Sequence, residues 1–346
     1  MEMTTIKVPL VGDNMLLWIG FIICTSAIVF AGTRLSKYGD IIAEKTGLGG
    51  AWIGVVLMAS VTSLPELVTG ISSVTYAGVP DIAAGDVLGS CVFNMLILAV
   101  LDAIYRPMPI SAKAHYGHVL SAGFGILLLG TAAVSLLLGD RTPSIGWIGP
   151  YTLLIAIIYL IAMRMVYFYE KKRFSHLVKE IAIELKYEEI TMKSAVVNYV
   201  INALIVIIAA VFLPKIGAGI AEVTGLGQTF VGNIFIAVST SLPEVVVSVA
   251  AVRMDAVDLA IGNLFGSNIF NIFILAIDDF FFTNGPILSF VDSSHAISAL
   301  SAIIMTAIAI IGLTYRTETK RLFLAWDSIG IVLVYIVNLM LLYMLK

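Results

Sequence analysis

Two glutamates in this sequence stand where a charge is hardest to keep. Glu66 and Glu244 each close the pentapeptide TSLPE, at residues 62–66 and 240–244, and each lies deep in an apolar stretch. A carboxylate at that depth costs about 3 kcal/mol or more and marks a functional site by default. No Lys or Arg lies at similar depth in the same stretches. Two carboxylates without a basic partner either stay protonated or hold a cation, and hard cations take oxygen ligands. The prolines free more oxygens. Pro65 leaves the Val61 carbonyl without its helical donor, and Pro243 does the same to Ser239. Carbonyls freed in hydrocarbon need another partner. A single kink is readily satisfied by Ser and Thr side chains; two matching kinks, each followed by glutamate, point to cation binding.

The match extends well beyond the pentapeptide. Residues 59–102 and 237–279 align at an offset of 178 up to the glutamates and 177 from Asp81 and Asp258 onward. Shared positions include Ala59 and Ala237, Thr62 and Thr240, Ser63 and Ser241, Ser90 and Ser267, Asn94 and Asn271, and Asp102 and Asp279. Ser90 and Asn94 are one helical turn apart and share a face, as do Ser267 and Asn271. The pairs Gly85/Gly89 and Gly262/Gly266 leave small surfaces that allow close helix approach. Hydroxyl and amide oxygens beside two carboxylates form a mixed oxygen cage, suited to Ca2+ or Na+ and not to soft metals. Cys24 and Cys91 both lie in apolar segments, which disfavours a disulfide. His115, His118, His176 and His295 lack ligand spacing and read as interfacial residues.

The elements that must position these groups are membrane helices. Of 346 residues, 60% are hydrophobic and 12% charged, half the charged share of a soluble domain, so the composition excludes an ordinary soluble enzyme or a nucleic-acid binder. Ten segments are long and apolar enough to cross a bilayer: 15–33, 51–75, 82–104, 118–138, 146–167, 196–213, 228–252, 257–279, 288–313 and 326–345. The first is too long for a cleaved leader. With the N-terminus outside, sixteen of the twenty Lys and Arg residues fall in inner loops, so both termini are expected outside a plasma membrane. Five spans per half is an odd number, so the halves run oppositely. The expectation is an all-α membrane protein of ten transmembrane helices in two inverted five-helix repeats, residues 1–170 and 195–346, joined by a cytoplasmic linker at 171–194. Glu180, Glu184 and Glu188 in that linker read as the solvated face of an amphipathic helix.

TSLPE followed by GDVLGSCVFN, and TSLPE followed by GNLFGSNIFN, resemble the signature repeats of the calcium/cation antiporter superfamily, most of all its prokaryotic sodium/calcium exchanger branch. The resemblance implies ion sites at mid-membrane between the halves. Glu66 and Glu244 would be the main Ca2+ ligands, with carbonyls of Thr62 and Thr240. Ser90 and the Ala59 carbonyl would form one Na+ site with Glu244. Ser267, Ser241 and the Ala237 carbonyl would form the other with Glu66; Asn94 and Asn271 would line the middle, and Ser63 matches Ser241. The chain departs from the pattern at Val61 and Ser239, where the family has glycine, and at Asp86 and Cys91, where it has asparagine. Some sodium-coupled members carry aspartate at a middle position, whereas this chain has Asn94 and Asn271. The expected activity is antiport of Ca2+ against Na+ by alternating access, with Ca2+/H+ exchange as the alternative, and with no cofactor beyond the transported ions and the lipid bilayer.

Asp102, Asp278 and Asp279 remain. Asp102 reads as a span-end charge, and the Asp278–Asp279 pair fits that role or a cation-attracting vestibule equally. Two other classes fit less well. Channels build filters from rings of identical subunits, and an intramembrane protease using Asp102 and Asp279 would need them together, whereas the topology places them near opposite faces.

Overall fold

The apolar segments form long helices because every backbone group in hydrocarbon must find its partner within the chain. A computed structural model describes residues 11–45, 61–106, 108–177, 190–317, 319–320 and 323–346. The helices are α1 (Val11–Lys45), α2 (Leu64–Ser72), α3 (Pro80–Ile104), the single turn α4 (Ile110–Lys113), α5 (His118–Leu138), α6 (Pro150–Leu177), α7 (Met192–Thr224), the short α8 (Gln228–Val231) and α9 (Ala237–Thr240), α10 (Leu242–Arg253), α11 (Val257–Phe281), α12 (His295–Tyr315) and α13 (Trp326–Met344). No strand occurs among the described residues.

Eight of these helices are long and apolar enough to span a membrane, and a ninth candidate is the pair Gly227–Thr240 and Leu242–Arg253, bent by 45° at its break. Eight of the ten expected segments thus stand as continuous helices and the seventh as this broken pair. The second lies partly outside the described residues, which resume at Val61 and continue through α2. Several helices outrun their apolar segments. α1 has 35 residues and α7 has 33. At 1.5 Å per residue each reaches about 50 Å, longer than the hydrocarbon core is thick, so both must tilt or emerge from it. α6 continues past residue 170 to Leu177, so the linker begins as helix. Residues 178–189, which include Glu180, Glu184 and Glu188, lie outside the described residues, and the last linker residues, from Met192, already belong to α7.

Burial divides the bundle into a centre and a coat. In α3 and α11, 72% and 78% of the most apolar window is buried, against 22% in α1 and 28% in α7. α3 and α11 pack on each other; α5, α12 and α13 close one side of them, and α1 and α7 pack along each other on the other. Exposed Leu16, Ile23, Leu160, Ile208 and Met340 give the coat an apolar outer surface, as lipid contact requires. At the centre glycines set the spacing. A Cβ added to Gly85 would stand 2.9 Å from the Gly232 Cα, and one added to Gly89 would stand 2.6 Å from the Asn233 Cα. Backbone therefore lies directly on backbone where α3 meets the π-turn Gly232–Ile236.

α3 and α11 run in opposite directions. The end of the molecule where α3 begins holds the chain just beyond α11, because the Asp292 amide and the His295 ring both reach Asp81, at 2.7 and 3.1 Å. At the opposite end the His118 ring, just beyond α3, meets Asp258 in the first turn of α11 at 3.0 Å. These two histidines stand at the ends of spans, as expected, and both are buried there and bonded across the bundle. Cys24 and Cys91 are both free.

Candidate ion-binding site

Both TSLPE segments break their helices at the same residue and in the same way. Ser63 has φ −86° and ψ 15°, and Ser241 has φ −88° and ψ 5°, the bridge region between helix and strand. Pro65 and Pro243 then open the next helix within its first two positions, where a missing N–H costs nothing. Each break turns the following glutamate inward, and Glu66 and Glu244 are fully buried. Gly32 of α1 lets that helix cross tightly over the second break, since a Cβ there would meet Pro243 at 2.7 Å.

The two segments hold each other's carboxylates. The Ser241 hydroxyl donates to Glu66 Oε1 at 2.9 Å, and the Ser63 hydroxyl donates to Glu244 Oε1 at 3.3 Å. Their threonines reach across in the same sense. Thr240 Oγ1 donates to Asp86 Oδ1 at 2.8 Å, and Thr62 Oγ1 lies 3.4 Å from Asn263 Oδ1, the position matching Asp86. Ser90 lies 2.9 Å from the Ser241 hydroxyl and 3.5 Å from the Ala237 carbonyl. Ser267 lies 3.4 Å from the Thr62 hydroxyl and 3.5 Å from Glu244 Oε1. So Ser90 falls with Ser241 and, through it, Glu66, whereas the resemblance placed it with Glu244; Ser267 falls with Glu244 rather than with Glu66. The Ala237 carbonyl already accepts the Ser241 amide at 3.1 Å. Ala59 lies outside the described residues.

Asn94 donates to Asn268 Oδ1 at 2.9 Å, which closes the middle of the α3–α11 contact. Several oxygens around it have no hydrogen-bond partner: Glu66 Oε2, Glu244 Oε2, Asp86 Oδ2, Asn94 Oδ1 and Asn271 Oδ1. Buried polar atoms are nearly always partnered, so a cluster of partnerless oxygens is a mark of a site built for something else. None of these carboxylates pairs with Lys or Arg among the described residues. Nor do three His, Cys, Asp or Glu side chains converge on one point among them. The donor set is two carboxylates with hydroxyl and amide oxygens, which fits hard cations and offers nothing to soft ones.

The terminal aspartates have a different task. Asp102 accepts the amides of Ile110 and Ala325, each at 2.8 Å, and pairs with Lys320 at 3.0 Å. Asp279 accepts the amides of Gly149 at 2.8 Å and Ile287 at 2.6 Å, and the hydroxyls of Tyr151 at 2.8 Å and of Thr152. Both fasten loops at helix ends, and Asp279 is not a vestibule residue. Reading the sequence missed Asp86, Asn263 and Asn268 as neighbours of the site. The signal for Asp86 was present: a carboxylate where the repeat has Asn263.

Compared with known proteins, the chain matches the model of the "Sodium/calcium exchanger protein" family over residues 16–168 and 193–344. It is 27% identical over 249 residues to the inner membrane protein YrbG of Escherichia coli K12, covering 72% of this chain and 74% of that one. Its fold is similar to the sodium-calcium exchanger NCX_Mj soaked with Na+ and Sr2+, with a TM-score of 0.61 at 22% identity, covering 94% and 97% of the two chains. It is also similar to the H+/Ca2+ exchanger CAX, with a TM-score of 0.70 at 13% identity, covering 94% and 82%. The chain belongs to the sodium/calcium exchanger family: it is a multi-pass membrane antiporter and not an enzyme.

Proposed function

We propose that the protein exchanges Ca2+ for Na+ across the plasma membrane by alternating access, with Glu66 and Glu244 as the central ligands. In this reading ten transmembrane helices form two inverted halves, residues 1–170 and 195–346, with both termini outside. The two stretches matched by the family model, 16–168 and 193–344, support that division. The observation that carries the reading is the crossed glutamate pair: two fully buried carboxylates, each with one bonded and one partnerless oxygen, and no basic partner among the described residues. Thr62, Thr240, Ser63, Ser241, Ser90, Ser267, Asn94, Asn271 and the carbonyls of Ala59 and Ala237 complete the oxygen set.

The charge balance explains exchange rather than leak. Two bare carboxylates in a low-dielectric interior cost about 3 kcal/mol each. One Ca2+ neutralises both, and so do two monovalent cations. A carrier that crosses with neither bears the full cost, so the two loaded forms are the ones that cross, and the ions compete for one pair of ligands.

A second reading, Ca2+/H+ exchange, is favoured by one observation: Asn94 and Asn271 put neutral amides at both middle positions. Uptake of radioactive Ca2+ into proteoliposomes decides between the two. Under the first reading an outward Na+ gradient at uniform pH drives uptake, and a proton gradient without Na+ does not. Under the second the dependence reverses. In either case Glu66→Gln and Glu244→Gln abolish uptake while the protein still folds; normal uptake in either variant refutes the site.

A further inference from the structure

The residues assigned above leave one buried charge without a task. Asp278 lies on α11, seven residues beyond Asn271 and therefore on the same helix face. Its carboxylate is fully buried, and neither oxygen has a hydrogen-bond partner. The next residue, Asp279, points elsewhere and is fully engaged in fastening loops. The Asp278 carboxylate is aimed at the backbone of α2: a Cβ on Gly70 would stand 2.5 Å from its Oδ1. Gly70 is one turn beyond Glu66. No Lys, Arg or His pairs with Asp278 among the described residues.

Asp86 belongs to the same end of the molecule. It precedes Asn94 on α3 by two turns, as Asp278 follows Asn271 on the antiparallel α11. One Asp86 oxygen accepts from Thr240, and the other has no partner. Thr69, next to Gly70, is also fully buried with a partnerless hydroxyl. The opposite end lacks this chemistry, because the positions matching Asp86 and Asp278 there are Asn263 and Leu101.

We propose that Asp86 and Asp278 form a second cation site, for Ca2+, between the glutamate pair and the end of the pathway where α3 begins. Two carboxylates supply the charge a divalent cation neutralises, and the hydroxyls of Thr240 and Thr69 extend an all-oxygen donor set. The inference rests on the antiporter reading but concerns two carboxylates to which that reading gives no role. It makes the pathway chemically one-sided: Ca2+ approaching from this end meets an acidic pair before the glutamates, and Ca2+ from the other end does not.

Equilibrium binding of radioactive Ca2+ to the purified full chain, without Na+, tests it. Wild type binds two Ca2+ per chain. Asp278→Asn lowers the affinity of one step at least tenfold and leaves the other step unchanged, and Asp86→Asn weakens the step that Asp278→Asn weakens. The double variant Glu66→Gln/Glu244→Gln loses the complementary step, so the two readings fail separately. A single Ca2+ per wild-type chain, bound equally well by folded Asp278→Asn, overturns the proposal. So does a site lost in Asp278→Asn that titrates with Na+ and not with Ca2+.

Discussion

Replacing Gly89 by alanine adds one methyl group at the place with least room for it. The new Cβ would stand 2.6 Å from the Asn233 Cα and 2.7 Å from the Asn233 carbonyl carbon. Ordinary contact begins at 3.4 Å, so α3 and the π-turn must part by about 1 Å. Both partners are backbone, and no rotamer change relieves the clash. The separation falls on the Thr240–Asp86 bond of 2.8 Å and the Ser90–Ser241 contact of 2.9 Å, both of which join α3 to the second TSLPE segment. Overpacking of this kind costs about 1–3 kcal/mol, and misplacing a reactive constellation by about 1 Å costs roughly a hundredfold in rate. Gly89→Ala is therefore expected to lower thermal stability and to cut Ca2+ uptake by about two orders of magnitude. Gly123 and Gly130 on α5 supply the control, because a Cβ at either meets nothing within 4 Å. Alanine there improves helix propensity by up to about 1 kcal/mol and leaves uptake intact. Wild-type uptake and stability in Gly89→Ala would refute the claim that backbone contact sets the geometry of the site.

Two further outcomes follow from groups at the helix ends. Asp279→Ala strips the acceptor from two amides and two hydroxyls; the loss is expected to be about 3–5 kcal/mol, read as a lower thermal midpoint, while stabilisation by added Ca2+ persists. A wild-type midpoint with Ca2+ stabilisation abolished would instead make Asp279 an ion ligand. Outside the spans, hydrogen bonds from Tyr105 at 2.9 Å and Lys113 at 3.1 Å hold the Asp255 carboxyl below the usual carboxylate range. A lowered folded-state value contributes stability above the unfolded value of about 3.9 and loses it as pH falls through the folded one. Hydrogen exchange at Met254–Ala256 should therefore speed up, beyond its intrinsic pH dependence, on going from neutral pH to below the normal carboxylate range, and Asp255→Asn should remove that extra change; an equal extra change in both proteins refutes the link.

The helix breaks were legible because proline, serine and glutamate are uncommon in apolar spans and were written twice. Fold class and most spans were legible for the same reason: hydrocarbon tolerates few alternatives to helix. The helix ends were less so. α1 runs on through Arg34, Lys37 and Lys45, since a helix does not stop where its apolar stretch stops. Adjacent aspartates defeated the sequence for a geometric reason. Asp278 and Asp279 are about 100° apart around α11, so one faces α2 and the other the loops, and nothing in two identical letters says which. The crossed pairs His118–Asp258 and His295–Asp81 could have been found. All four residues obey the same 177-residue offset as the site, and that shared spacing carried more information than the lack of metal-ligand spacing among the histidines.

The crossed bonds between the two TSLPE segments set a timetable for biosynthesis. The hydroxyl that holds Glu66 belongs to Ser241, 175 residues later in the chain. At roughly 5–20 residues per second, a ribosome takes about 10–35 s to make that stretch. For that interval Glu66 is inserted or waiting without its donor, and the first half exists as an incomplete object with a carboxylate at its centre. Neither half finishes its own site, so the centre of the carrier closes only after the second TSLPE segment has been made and inserted.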